Sequence, residues 1–142
     1  HHFMSLILAV FDSRTLTFQY TNAGHPPPLI SRRGETIPLR SLGLILGVMD
    51  SASYGVETIQ LEPDDLVLLF TDGIIEARDR DQRMFRNDGV VSAFEGVSFE
   101  NARQAFDTIW SRFEAHTGGA NQDDRTLLVM RVLPAVADSG QK

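Results

Sequence analysis

Apolar segments of strand length, separated by short polar or proline- and glycine-containing segments, fill the first half of the chain. Residues 3–11 are almost continuously apolar, which is typical of a central strand covered on both faces. Residues 16–21 alternate between apolar and polar side chains after a turn-like segment, so these two segments predict a hairpin. The same reasoning predicts further strands at residues 29–31, 35–39, 54–61, 66–70 and 125–133.

The pattern changes from strand-like to helical after Gly73. Short helices are predicted over residues 74–78 and 88–94, and Ser98 is predicted to cap the N-terminus of a long helix. The glycine pair at residues 118–119 is predicted to end that helix. Its expected apolar stripe recurs every three or four residues and comprises Phe99, Ala102, Phe106, Ile109, Phe113 and His116.

Composition narrows the possible classes of protein. A chain of 142 residues with 42% apolar residues can form about one domain with a real core, and we place that domain at residues 3–133. The polar residues 134–142 are expected to be a disordered tail. A net charge of −6 with scattered basic residues argues against nucleic acid as a partner. The absence of cysteine excludes disulfides and thiolate metal sites and favours a cytoplasmic protein. No apolar run approaches the roughly 18 residues that span a membrane.

A carboxylate stands at the end of the apolar strand predicted at residues 66–70. Asp72 follows that strand almost directly, and a buried carboxylate needs a compensating partner such as a metal ion or a helix N-terminus. Gly73 allows a sharp turn or the close approach of a ligand. An ordinary turn in which Asp72 only caps a helix is the alternative.

A second acidic segment, Asp123 and Asp124, lies just before the last predicted strand. If the two strands are antiparallel neighbours, Asp72 and Asp123 meet at one edge of the sheet. Carboxylates on rigid strand ends suit a hard cation such as Mg²⁺ or Mn²⁺. Two carboxylates are too few for a catalytic binuclear site, so at least one more acid is required. A loop whose acids are simply solvated is the alternative.

Six ordered motifs together resemble the metal-dependent, type-2C-like serine/threonine phosphatases (PPM), and within them the bacterial subfamily that regulates sigma factors and sporulation. The motifs are residues 3–6 (Phe-Met-Ser-Leu), 22–28 (Asn-Ala-Gly-His-Pro-Pro-Pro), 42–47 (Leu-Gly-Leu-Ile-Leu-Gly), 71–77 (Thr-Asp-Gly-Ile-Ile-Glu-Ala), 84–85 (Met-Phe) and 123–126 (Asp-Asp-Arg-Thr). Each motif alone is weak, but their order and spacing make the combination specific. The resemblance extends from about residue 3 to residue 133.

The resemblance implies an α/β (α+β) fold, a four-layer α-β-β-α sandwich of mostly antiparallel sheets with two Mn²⁺ or Mg²⁺ ions at one edge. Asp72 and Asp123 match metal ligands, Gly73 would let the backbone pass close to the site, and Asp124 would bind an additional ion or face solvent. No catalytic side chain is implied beyond the metal-bound water that attacks a phosphoserine or phosphothreonine. The implied substrate is a regulatory phosphoprotein such as an anti-sigma-factor antagonist.

Other family positions are expected to shape loops. Asn22, Gly24 and His25 are interpreted as a structural motif, with Gly24 in an unusual backbone conformation and His25 hydrogen-bonded to a neighbour. Gln82 and Arg86 stand where the family usually has glycine, which leaves the shape of their loop open.

The family's early, glycine-rich Asp motif, whose carboxylate bridges both metals, has no counterpart before Phe3. The chain is therefore interpreted as the C-terminal part of a phosphatase domain with its N-terminal strands missing, and as weakly active or inactive alone. A catalytically inactive pseudophosphatase that binds a regulatory partner is the rival hypothesis. Exposed apolar edges at residues 3–10 and 127–132 predict a homodimer or a strand-exchanged assembly.

Overall fold

The structure is a computed structural model of the chain and describes residues 2–119 and 124–134. Within these ranges the chain forms six strands, then three helices and then a last strand. The elements are β1 (Leu6–Asp12), β2 (Thr17–Ala23), β3 (Leu29–Arg32), β4 (Glu35–Pro38), β5 (Glu57–Gln60), β6 (Leu66–Phe70), α1 (Asp72–Ile75), α2 (Arg86–Phe94), α3 (Ala102–Thr117) and β7 (Leu127–Arg131).

The strands form two antiparallel sheets. One has the order β1-β2-β5 and the other β4-β3-β6-β7. The predicted hairpin of β1 and β2 is confirmed, with Leu8 opposite Thr21. In its turn, Asp12 Oδ1 accepts hydrogen bonds from the backbone N–H groups of Arg14 at 2.8 Å and Thr15 at 3.4 Å. These donors favour the charged carboxylate and hold the pKa of Asp12 below its usual value.

Two apolar cores lie on opposite faces of β6, because successive side chains of a strand point to opposite sides. Leu66, Leu68 and Phe70 pack with Phe94, Ile109 and Phe113 of the helices, whereas Val67 packs between the two sheets. The second core also contains Phe18, Tyr20, Ile30, Leu39, Leu61 and Val132. The described residues therefore form two sheets and a layer of helices, with the four-stranded sheet between the other two layers. This arrangement confirms the predicted α+β class.

β1 differs from its prediction as a strand covered on both faces. It pairs with β2 along one edge and is the edge strand of its sheet. Leu6, Leu8 and Val10 on its outer face are 40%, 61% and 62% exposed. The apolar run indicated a strand correctly, but the strand buries only the alternate face that packs toward the second sheet.

The long helix begins later than predicted. Asn101, not Ser98, is the N-cap of α3, and its side-chain oxygen accepts a hydrogen bond from the Gln104 backbone N–H at 2.9 Å. Gln104 Oε1 in turn accepts the Glu100 N–H, so the helix start is held reciprocally. The predicted end is confirmed, because Gly118 adopts a left-handed conformation with φ 61°.

The buried face of α3 is also rotated relative to the predicted stripe. Its buried residues are Ala105, Ile109, Phe113 and Thr117. Only Ile109 and Phe113 belong to both sets; the other predicted stripe residues are half-buried. Small residues at 105 and 117 allow close packing there, a property that a search for large apolar side chains overlooks.

The other elements match their predictions in type, and all except β6 differ at one or both ends. β6 begins and ends as predicted, while β5 and β7 are shorter than predicted. α1 begins two residues earlier than predicted, at Asp72, and α2 begins at Arg86.

Candidate functional site

The ends of β6 and β7 meet at one edge of the four-stranded sheet. The two strands are antiparallel neighbours, with Phe70 opposite Leu127. This confirms the condition on which the pairing of the two acidic segments depended. The chain leaving β6 and the chain entering β7 therefore lie side by side at this edge.

Asp72 is the first residue of α1 and is exposed. Its Oδ1 accepts a hydrogen bond from the Gly73 backbone N–H at 3.0 Å, and Gly73 is buried beneath it. The argument that burial forces Asp72 to find a partner is therefore wrong, because the strand ends at Phe70 and the carboxylate has already reached the surface. An exposed carboxylate at a fixed strand end is instead accessible to a ligand from solvent.

Asp123 lies outside the described residues, so its geometry is not part of the site as described. Asp124 is exposed, and its backbone oxygen accepts a hydrogen bond from the Thr71 hydroxyl at 3.2 Å. The acidic segment thus enters β7 directly beside the residue that precedes Asp72.

Thr71 makes three further hydrogen bonds at this junction. Its backbone N–H donates to the Thr126 oxygen at 3.1 Å, and its backbone oxygen accepts the Ile74 N–H at 3.0 Å. Its hydroxyl accepts the Thr126 N–H at 2.9 Å. We call the two hydroxyl bonds, to the Asp124 oxygen and from the Thr126 N–H, the Thr71 bridge. In the sequence Thr71 stands out only as the first residue of the motif at residues 71–77, and nothing in the motif indicates this role.

Arg125 attaches the same segment to the helical layer. Its guanidinium carbon lies 5.0 Å from the centre of the Phe113 ring, a distance typical of a cation–π contact. Phe113 is fully buried in the core beside α2 and β6. The segment that follows Asp123 is therefore fixed to β6 on one side and to α3 on the other.

The Asn22, Gly24 and His25 motif forms a closed turn between the two sheets. Buried Asn22 donates from Nδ2 to the His25 oxygen at 3.0 Å and accepts the His25 N–H on Oδ1 at 2.8 Å. His25 Nδ1 lies 3.1 Å from the Pro26 oxygen. Gly24 has φ 69°, and a Cβ there would lie 3.1 Å from Ile45, so both conformation and space favour glycine. These groups bond to the backbone of their own turn.

Between the end of α1 and the start of α2, two residues that are not glycine adopt a backbone conformation that favours glycine. Gln82 and Arg86 have φ 66° and 61°, in the left-handed region that side chains other than glycine rarely adopt. Asp79 stabilises the loop, since its Oδ1 accepts the Arg83 N–H at 2.9 Å and the Asp81 N–H at 2.8 Å. The bond from Arg83 is the largest cause that lowers the pKa of Asp79. The replacement of glycine therefore leaves the backbone in a left-handed conformation at both positions.

The oxygen atoms at this edge are of the chemical type that binds a hard divalent cation. Asp72 presents a carboxylate, and the segment at Asp124 presents both a carboxylate and backbone oxygens, which are the ligands that Mg²⁺ and Mn²⁺ prefer. Within residues 2–119 and 124–134, however, no three His, Asp or Glu side chains are grouped closely enough to hold a metal ion. The described residues thus fit part of a metal site.

None of the described helices is long and apolar enough to cross a membrane.

Comparisons with known proteins point to one family. Two curated relatives are phosphoserine phosphatase RsbU of Bacillus subtilis, 28% identical over 91% of this chain and 39% of that protein, and protein IcfG of Synechocystis, 25% identical over 90% and 20%. The chain thus spans well under half the length of either relative.

A solved structure gives the same fold. The manganese-presoaked phosphatase domain of the B. subtilis cell fate determinant SpoIIE has a TM-score of 0.74 and 20% identity, over 94% of this chain and 58% of that one. The sequence model described as "Stage II sporulation protein E (SpoIIE)" matches residues 1–133. The chain therefore belongs to the stage II sporulation protein E (SpoIIE) family and has the fold of its phosphatase domain.

Proposed function

We propose that this chain is part of a Mg²⁺- or Mn²⁺-dependent protein serine/threonine phosphatase domain. The observation that carries the proposal is the meeting of Asp72 with the segment at residues 124–126 at one sheet edge. The substrate we propose is a phosphoserine or phosphothreonine of a regulatory protein, such as an anti-sigma-factor antagonist. The name of the relative RsbU, a phosphoserine phosphatase, supports this class of substrate.

The residues of this chain would bind and orient the metal. Asp72 would be one ligand, with its carboxylate oriented by the Gly73 N–H, and Asp123 a second. Asp124 would bind a further ion or face solvent, and buried Gly73 keeps the backbone close to the site. Mn²⁺ or Mg²⁺, when bound, supplies charge neutralisation and an activated water nucleophile. The manganese presoak of the related SpoIIE domain is consistent with this choice of metal.

We further propose that residues 3–133 are the C-terminal part of the domain and that upstream residues supply the missing bridging Asp. The chain corresponds to 58% of the solved SpoIIE phosphatase domain, which leaves room for such a segment. A protein of this kind acting on sigma-factor regulators would work in the cytoplasm.

The test is Mn²⁺-dependent hydrolysis of p-nitrophenyl phosphate by this chain beside a longer version extended upstream to include the Asp motif. We expect activity from the extended protein and little or none from this chain alone, because two or three carboxylates cannot hold a binuclear site. Omission of metal and addition of a chelator are the controls.

A catalytically inactive binding module is the second candidate. It is favoured by the absence, in the described part of the chain, of three acids grouped around one point. An extended protein that is folded by circular dichroism but hydrolyses no phosphate ester with Mn²⁺ would establish this reading and contradict the phosphatase.

We also propose that this chain forms a homodimer through its exposed edges. β1 and β7 are edge strands of their sheets, and Leu8 and Leu128 are 61% and 52% exposed. Unpaired strand edges with apolar side chains invite pairing with a second copy. We expect size-exclusion chromatography with light scattering to give twice the monomer mass at high concentration. A monomer at every concentration would contradict the proposal.

A further inference from the structure

We propose that Thr71 is a positioning residue for the acidic segment of the site, an inference that rests on the proposed metal-dependent function. Its hydroxyl replaces a backbone carbonyl in the ladder between β6 and β7. The replacement lets the chain begin a helix at Asp72 without releasing the segment that carries Asp124. Four hydrogen bonds at the junction carry the argument.

Antiparallel strands exchange two backbone hydrogen bonds between residues in a hydrogen-bonded pair. Thr71 and Thr126 stand opposite each other one step beyond the pair Phe70 and Leu127. Only one bond of the expected exchange is made by backbone groups, from the Thr71 N–H to the Thr126 oxygen. The Thr71 oxygen has turned away to accept the Ile74 N–H and begin α1.

The Thr71 hydroxyl compensates for the lost acceptor. It accepts the Thr126 N–H at 2.9 Å, which would otherwise lose its partner on β6. The same hydroxyl donates its hydrogen to the Asp124 oxygen at 3.2 Å. A hydroxyl is suited to this place because it can accept one bond and donate another at the same time.

The hydroxyl makes no capping bond to α1. Thr71 is the N-cap residue of that helix, a position where threonine commonly bonds a backbone N–H of the first turn. Here its side chain makes no such bond, and it bridges to β7 instead. The side chain is therefore committed to holding the two chain segments together, which is the geometry that a shared metal site requires.

The bridge fixes the distance between the two acidic segments. Asp72 follows Thr71 directly, and Asp124 provides the carbonyl that Thr71 binds. Without the hydroxyl, the chain before β7 would lose two of the three hydrogen bonds described between it and Thr71, and only the bond from the Thr71 N–H to the Thr126 oxygen would remain of those three. The carboxylates would then have no fixed spacing, and metal affinity depends on such outer contacts.

The experiment compares three variants of the full chain. Thr71→Val removes the hydroxyl and keeps the shape, Thr71→Ser restores a hydroxyl, and Thr36→Val is the matched control. Thr36 lies in β4 of the same sheet, and its buried hydroxyl has no hydrogen-bond partner among the described residues. Mn²⁺ alone is the probe, and its binding is measured by electron paramagnetic resonance of the free ion. Hydrogen exchange of the Thr126 amide is measured in parallel.

We expect Thr71→Val to weaken Mn²⁺ binding on the order of tenfold, as the loss of an outer contact does at metal sites. The Thr126 amide should exchange faster in this variant, Thr71→Ser should restore both readouts, and Thr36→Val should change neither. Unchanged Mn²⁺ affinity in a folded Thr71→Val overturns the inference. If that variant does not fold, an unprotected Thr126 amide in the wild-type chain overturns it, and a protected one supports the bridge. If the wild-type chain binds no Mn²⁺ but the protein extended upstream does, the same three variants are compared in the extended protein. An extended protein that binds no Mn²⁺ overturns the proposed metal-dependent function, and the inference falls with it.

Discussion

Asp72→Asn is expected to remove most of the Mn²⁺-dependent phosphatase activity of the extended protein while the fold stays intact. Asparagine keeps the side-chain oxygen that accepts the Gly73 N–H, so the start of α1 keeps its hydrogen bond. It removes the negative charge, which is what attracts a divalent cation. A loss of about 3 kcal/mol of transition-state stabilisation corresponds to roughly a 100-fold decrease in kcat/KM. The assay is hydrolysis of p-nitrophenyl phosphate across a Mn²⁺ titration, with Tm measured alongside.

Asp88→Asn is the matched control for that variant. Asp88 is also an exposed acid in the first turn of a helix, α2. Asp88→Asn makes the same change of charge at the same kind of position, but on a helix that does not directly follow β6. We expect its kcat/KM to equal that of the wild type. Activity retained in Asp72→Asn, or an equal loss in Asp88→Asn, would remove Asp72 from the proposed ligands.

Both ends of β6, the strand that leads to the site, could be predicted correctly from the sequence. An unbroken apolar run over residues 66–70 lies between a proline-containing turn and Thr71, and both of its faces are covered in the fold. Local pattern was sufficient there because burial on both faces requires apolar residues throughout. The antiparallel pairing that brings the two acidic segments together was only a condition of the sequence argument, and it is observed in the sheet.

The role of Thr71 could not be predicted in the same way. Its hydroxyl is hydrogen-bonded to Asp124 and Thr126, which lie 53 and 55 positions further along the chain. A threonine beside an Asp-Gly pair favours a helix cap on local grounds, and only the register with β7 shows that the hydroxyl is used elsewhere. Residue spacing gives no information about such a register. The exposure of Asp72 was missed for a related reason, because the pattern does not show where a strand reaches the sheet edge.

The buried ion pair at the opposite end of β6 was missed for the same reason. The residues before β6, Glu62-Pro63-Asp64-Asp65, have the composition of an ordinary turn, yet the Asp65 side chain is 2% exposed. It accepts hydrogen bonds from Arg32 Nε at 3.0 Å, Arg32 Nη2 at 2.6 Å and the Glu62 N–H at 2.8 Å. Arg32 lies on β3, which pairs with β6, so the contact exists only once the sheet has formed. The hydrogen bonding that Arg32 donates to the Asp65 carboxylate is the largest cause that raises the pKa of Arg32.

Asp65→Ala is expected to lower the free energy of unfolding by about 1 to 3 kcal/mol. It removes the buried carboxylate that accepts hydrogen bonds from Arg32 and from the Glu62 N–H, while Glu62 Oε1, 3.1 Å from Arg32 Nη1, remains as an anionic partner. Arg32 is only 24% exposed, so water cannot fully replace the carboxylate. The measurement is urea denaturation of the full chain, followed by circular dichroism.

Asp107→Ala tests whether burial is the cause. Asp107 also pairs with an arginine, with its Oδ2 at 2.9 Å from Arg103 Nε, but the two side chains are 52% and 81% exposed. We expect Asp107→Ala to change the free energy of unfolding much less than Asp65→Ala does, since solvent screens the charges of a surface pair. Both variants remove a carboxylate that is paired with an arginine. They differ in the exposure of the remaining guanidinium and in the Glu62 N–H bond, which only Asp65 accepts. Equal destabilisation by Asp65→Ala and Asp107→Ala would mean that the Arg32 charge is solvated after the mutation, and that β3 and β6 are not held by the buried pair.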